Sequence, residues 1–189
     1  MRNTRPQTRF GARRAALRAL AFLLVASAAG AETLPSRLLE PKQVEPISAA
    51  DFARVLESHE GKVVLVNLWA TWCIPCVQEL PDLDLLQERF GDRGLQVLAV
   101  SIDDPAGLEE KVRPFFAKKA PHLVSYLNSE VDEYAFAETI DPDWIGALPT
   151  TFFFTRDGEL HEQHAGRLLY RDLEAKVLEL LKGEEAAGP

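Results

Sequence analysis

The chain has 189 residues with 21 Lys or Arg, 29 Asp or Glu, two cysteines and a formal charge of −8. Six of the basic residues lie in the first 31, which leaves 15 basic against 29 acidic residues, or −14, for the rest. So acidic a chain is a poor binder of nucleic acid or of an anionic membrane, and the roughly 150 residues beyond that segment make one ordinary domain with a sizeable core.

Arg2, Arg5, Arg9, Arg13, Arg14 and Arg18 form a basic segment without an acid, Ala19 to Ala29 is apolar, and Ala29-Gly30-Ala31 is a small-x-small sequence. Residues 1–31 therefore read as a secretory signal, cleaved before Glu32. The apolar stretch is short of the roughly 20 residues that span a bilayer; left uncleaved, the signal would serve as an anchor. Residues 32–47 carry Pro35, Pro41 and Pro46 with little apolar pattern and read as a linker.

Ser48 is placed to cap a helix with Asp51 in its first turn, and Phe52, Val55 and Leu56 then share a face. Gly61 ends that segment. Val63 to Leu68 is a continuous apolar run, which predicts a strand covered on both sides. A helix follows from the cysteines towards Phe90, with Pro81 inside it as a kink and Leu83, Leu86 and Phe90 as its apolar stripe. Leu95 to Ser101 is a second buried strand. Leu108, Val112, Phe115 and Phe116 form a helical stripe, Leu123 to Leu127 a third strand, and Glu130 to Thr139 a helix. Asp141 to Gly146 reads as an irregular loop and Thr150 to Phe154 as a strand. Asp157-Gly158 turns it back along Leu160 to His164, glycine supplying the positive φ. Leu173, Val177, Leu180 and Leu181 mark a last helix, and residues 183–189 a tail. Strands alternating with helices predict an α/β domain over 48–182, a mostly parallel sheet with helices on both faces and an antiparallel C-terminal hairpin.

The chemistry sits in Trp69-Ala70-Thr71-Trp72-Cys73-Ile74-Pro75-Cys76, which holds both cysteines. Two thiols at this spacing close a disulfide or bind a soft metal. After a strand and at a helix start, they read as a redox pair. The helix N-terminus presents free N–H groups and partial positive charge, which favour the nucleophilic thiolate. A purely structural bridge is a poor alternative, because so small a loop removes little unfolded-state entropy.

The block from Val66 to Pro81, Val-Asn-Leu-Trp-Ala-Thr-Trp-Cys-Ile-Pro-Cys-Val-Gln-Glu-Leu-Pro, resembles the active-site block of the thioredoxin superfamily. Within it, the likeness is to the extracytoplasmic TlpA/ResA-like thiol-disulfide oxidoreductases. Gly146-Ala147-Leu148-Pro149-Thr150-Thr151-Phe152 resembles that family's cis-proline loop. The resemblance covers residues 48–182 and implies a thioredoxin-like fold. It implies Cys73 as the exposed nucleophile and Cys76 as the more buried resolving cysteine. It implies a cis Pro149 beside the disulfide, with the Leu148 backbone free to pair with an incoming peptide. Trp72 is expected at the surface beside Cys73, Pro75 early in the helix, and Trp69 in the core. Trp144 either rims the site or packs.

A glutamate at the position of Glu79 lies near the cysteines in this branch, where burial would raise its pKa and let it move protons. The alternative is an exposed helix acid. Asn67 stands where plain thioredoxins carry a proton-transferring aspartate, a role an amide cannot take. Ile74-Pro75 adds no charge or histidine between the cysteines, which favours a reductant. The resemblance implies no cofactor or bound metal. It implies disulfide-containing extracytoplasmic proteins as partners and a membrane thiol carrier as electron donor. Cytochrome c maturation, copper-site assembly and general disulfide repair are all open as the destination. The rival is a copper metallochaperone of thioredoxin fold. Such proteins use Cys-x-x-x-Cys and a distant histidine, and His161 and His164 are the downstream candidates. Three apart on a strand, these two would face opposite ways. His59 and His122 read as surface or loop residues.

Overall fold

The computed structural model describes residues 44–130 and 133–182. The expected signal, most of the expected linker and the tail lie outside the described residues. Six strands form one sheet in the order β1-β4-β3-β2-β5-β6. They are β1 Glu45–Ile47, β2 Val63–Trp69, β3 Leu95–Ser101, β4 Val124–Asn128, β5 Thr150–Phe154 and β6 Leu160–Ala165. The first four in space run parallel, and β5 and β6 are antiparallel additions. The helices are α1 Ala49–Glu57, α2 Ile74–Phe90, α3 Arg113–Lys119, α4 Glu133–Glu138 and α5 Tyr170–Lys182.

Every residue of β2 and β3 is buried, as expected for strands covered on both faces. Side chains alternate along β2, so one strand supplies two cores. Val63, Leu65 and Trp69 join Leu80, Leu83, Leu86 and Phe90 of α2 and Leu173 and Val177 of α5. Val64, Val66 and Leu68 join Phe52 and Val55 of α1 and Phe136 of α4. Among the described residues, no helix is long and apolar enough to cross a membrane.

The expected elements are present, with three differences. Glu45–Ile47, read as the end of the linker, is a strand paired with Tyr126–Asn128. It is too short to show periodicity, and its central Pro46 is tolerated because β1 is an edge. Ser48 then caps α1 as expected, its Oγ accepting the Asp51 N–H at 3.1 Å. The Leu108–Phe116 stripe is buried as a stripe, but Leu108–Val112 is a π-helical turn and only Arg113–Lys119 is α-helical. Pro114 has no N–H to return to the Glu110 carbonyl, so the ladder changes there. In the C-terminal hairpin Gly158 has φ +80° as the Asp-Gly turn requires, but the register slips between Phe153 and Phe154. Phe153 faces Glu162 and Phe154 faces Leu160. His161 is thus the extra residue of a bulge, and strict alternation does not relate it to His164.

Candidate active site

β2 ends at Trp69, and the chain must turn before α2 begins at Ile74. That turn is tied to the end of β3. The Asp103 carboxylate accepts the Thr71 N–H at 2.8 Å, the Thr71 hydroxyl, and the Ser101 hydroxyl at 2.8 Å. Lys111 approaches it at 3.4 Å. The Ile102 N–H adds a bond to the Trp69 carbonyl.

Cys73 follows as the N-cap of α2, its sulfur accepting the Cys76 N–H at 3.3 Å. The two sulfurs are joined as a disulfide, with Cα atoms 5.3 Å apart. This is the oxidised state of a dithiol whose first sulfur meets the unpaired N–H groups of the helix start. The expectation of an open Cys73 needs correction. Cys73 is only 7% exposed and Cys76 1%; joined as a disulfide, both sulfurs fold into the core cluster around Leu80 and Leu168. What stands in solvent are their neighbours, Trp72 at 60% and Ile74 at 72%, with Pro75 beside them in the first helical turn. Trp69 is fully buried against Phe115 and Phe116, as expected.

β5 pairs antiparallel with β2, Thr150 opposite Leu68. The residue before Thr150 therefore lies beside the chain leaving β2 for the cysteines. That residue is Pro149, buried, and the Leu148–Pro149 bond is cis. Leu148 is half-buried, and its side chain packs against both cores. Trp144 packs too. It is 6% exposed, stacks at a tilt on Tyr134, and donates its indole N–H to Thr150 Oγ at 3.2 Å. The exposed large apolar side chain of this loop is its neighbour Ile145, which sequence reasoning passed over.

Glu79 lies three residues beyond Cys76 on α2, hence on the same helix face. It is fully buried, not an exposed helix acid. Its Oε1 accepts the Leu168 N–H at 2.7 Å and its Oε2 an Asn67 Nδ2 hydrogen at 3.0 Å. Burial pushes its pKa up to about 7, against the opposing pull of the Leu168 and Asn67 hydrogen bonds and of Arg167; Asp82 adds to the rise. A carboxyl that ionises near neutrality on the cysteine face can both take and give a proton.

Asp103 and the Arg167-Leu168 segment are the parts of this site that sequence reading missed. Leu168 contributes a backbone N–H, which no side-chain pattern announces. Asp103 is recognisable only once β3 is known to end beside β2. His161 and His164 lie on the edge strand β6, and among the described residues no group of three or more His, Cys, Asp or Glu could hold a metal ion. His122 caps the α3–β4 loop instead, its backbone N–H and ring both on Asp84. His59 is half-buried after α1.

A family model described as AhpC/TSA matches residues 32–163. The chain belongs to the AhpC/TSA family. Within this thioredoxin-like family it is a thiol-disulfide oxidoreductase by its similarities. It is 30% identical over 172 residues to the thiol-disulfide oxidoreductase ResA of Geobacillus kaustophilus, covering 86% of this chain and 93% of that one. It is 31% identical over 128 residues to the thioredoxin-like protein YneN of Bacillus subtilis, covering 65% and 67%. Among solved structures, a thiol:disulfide interchange protein DsbE from Chlorobium tepidum superposes with a TM-score of 0.56 at 26% identity, over 67% of this chain and 84% of that one. The Cys73–Cys76 disulfide is consistent with the thiol-disulfide chemistry in the names of these proteins.

Proposed function

We propose that this protein is exported and, in its dithiol form, reduces disulfides of other exported proteins. The Cys73 thiolate attacks one sulfur of the target disulfide. A mixed disulfide forms and the first target thiolate leaves. Glu79 takes the proton of the Cys76 thiol, and the Cys76 thiolate attacks the Cys73 sulfur. The Cys73–Cys76 bridge closes and the second target thiolate leaves, so two electrons pass to the target and two protons restore its thiols. Trp72, Pro75 and the Leu148–Pro149 backbone contact the client peptide, which adds as a short strand. A membrane thiol carrier resets the dithiol.

The observation that carries this reading is a disulfide at the cap of α2 with a buried carboxyl, Glu79, on the same helix face. The uncharged Ile74-Pro75 pair supports the reducing direction. The acidic net charge and the basic N-terminal segment support export without nucleic-acid binding.

The deciding experiment is a redox titration against a glutathione or dithiothreitol series, read by the fluorescence of Trp72. A reversible transition near the thioredoxin value of about −270 mV is expected. A value near about −120 mV would reverse the direction of electron flow. The absence of any reversible transition would overturn the oxidoreductase reading in favour of a thiolate metal carrier.

A further inference from the structure

Asn67 sits in the middle of β2, 1% exposed, on the strand face that meets α2. Both hydrogens of its side-chain amide are used. One goes to Glu79 Oε2 at 3.0 Å and the other to Thr151 Oγ at 2.9 Å, across the β2–β5 pair. Its carbonyl Oδ1 is buried without a partner. Buried acceptors in folded proteins are normally paired, so this oxygen calls for an account.

Glu79 supplies it. Its Oε1 is committed as an acceptor by the Leu168 N–H. A proton arriving on the carboxyl therefore sits on Oε2, the oxygen that faces Asn67. In the orientation described, an Oε2–H would point at an N–H, donor against donor. Turned over about its last torsion, the amide places Oδ1 where Nδ2 was. It then accepts from Oε2–H and also from the Thr151 hydroxyl, which can rotate from acceptor to donor. The same two contacts are kept, each reversed in sense, and the unpaired place passes to the amide nitrogen.

We propose that Asn67 is a positioning residue that holds Glu79 in either protonation state, its amide donating to the carboxylate and turning over to accept from the carboxylic acid. The inference rests on Glu79 exchanging a proton with the Cys76 thiol. It also gives a physical reason for an amide here. An aspartate would set a second carboxylate against Glu79 and lose the donor. The charged groups acting on Glu79 are Asp82 on its own helix and Arg167 on the segment after β6, which are paired with each other at 3.7 Å. The groups presented by β2 and β5 are the neutral Asn67 and Thr151, and His164 is the cross-strand neighbour of Thr151 on β6.

The test follows the side-chain amide of Asn67 by nitrogen-15 NMR in the oxidised protein while the Glu79 carboxyl is titrated by carbon-13. The Asn67 amide signals are expected to move with the Glu79 midpoint, and to become independent of pH in Glu79→Gln. In Asn67→Leu the Glu79 midpoint should rise by about one pH unit through loss of a charge-assisted hydrogen bond. In Asn67→Asp it should rise further. Amide signals indifferent to the Glu79 titration would overturn the proposal without any variant having to fold, and so would an unmoved midpoint in a folded Asn67→Leu. If Glu79→Gln leaves the pH profile of exchange unchanged while the amide still tracks the carboxyl, proton transfer by Glu79 falls and the pairing stands. If that profile depends on Glu79 but is the same in Asn67→Leu, the pairing falls and proton transfer stands.

Discussion

Glu79 makes the folded protein hold a proton more tightly than the unfolded chain does, between the ordinary value of 4.5 and about 7. For a raised carboxyl the sign is fixed by linkage. Its stabilising contribution is complete below 4.5 and is lost as pH rises through about 7, a change on the order of 3 kcal/mol. Glu79→Gln removes that slope. Urea titrations should find the variant more stable than the parent above neutrality. His59 runs the other way. Burial foremost, and then Lys62, lower it from 6.5 to about 4, so its contribution is present above 6.5 and lost as pH falls through about 4. The two slopes oppose each other in the parent, and Glu79→Gln should uncover that of His59. In catalysis the same substitution should slow exchange near neutral pH and abolish the inflection near pH 7 in stopped-flow rates; an inflection that survives would retire Glu79 as the proton carrier. Cys76→Ser should trap mixed disulfides through Cys73, visible as covalent adducts on non-reducing gels. Adducts that form through Cys76 in Cys73→Ser instead would reverse the order of attack.

The turn from β2 into α2 is set by a residue from another element. Asp103, after β3, gathers the backbone and hydroxyl of Thr71 and the hydroxyl of Ser101 on one buried carboxylate. Asp103→Ala leaves those donors without their acceptor, at about 2 kcal/mol or more, and frees the segment that carries Trp72 and Cys73. Expected are a lower urea midpoint, altered Trp72 emission and slower exchange, with Asp103→Asn between variant and parent. Parent-like exchange in a folded Asp103→Ala would mean that the turn holds itself. Among elements, β2 and β3 were legible because burial on both faces writes a nearly continuous apolar run, and β5 because β-branched and aromatic residues follow one another. α2 was legible because an early proline and an apolar stripe agree. β1 was not, being three residues with a proline at the centre. The π turn before α3 was not, because its apolar spacing suits an α-helix equally well and only the hydrogen-bond ladder separates the two.

Across the described residues, a single sheet divides two cores, and the edge strand β1 closes one side of it over β4. Val44 and Ile47 bury their side chains in different cores, 1% exposed each. A chain begun at Ser48 would uncover both and leave the edge of β4 unpaired, an invitation to association. Its thermal midpoint should fall relative to a chain begun at Thr33, and light scattering should show aggregation; equal midpoints would make β1 dispensable. What the sequence by itself determined is the order of elements, the two-sided burial of the central strands and the cysteine pair at a helix start, because each is written in neighbouring residues. The likeness to thioredoxin-like oxidoreductases also singled out Glu79 and Pro149. Only the tertiary structure decided that Glu79 is fully buried, that Leu168 and Asn67 share its two oxygens, and that Asp103 steadies the cysteine turn. Those contacts join residues 12 to 89 positions apart, and hydrogen bonds over such separations exist only once the sheet has brought its strand ends together.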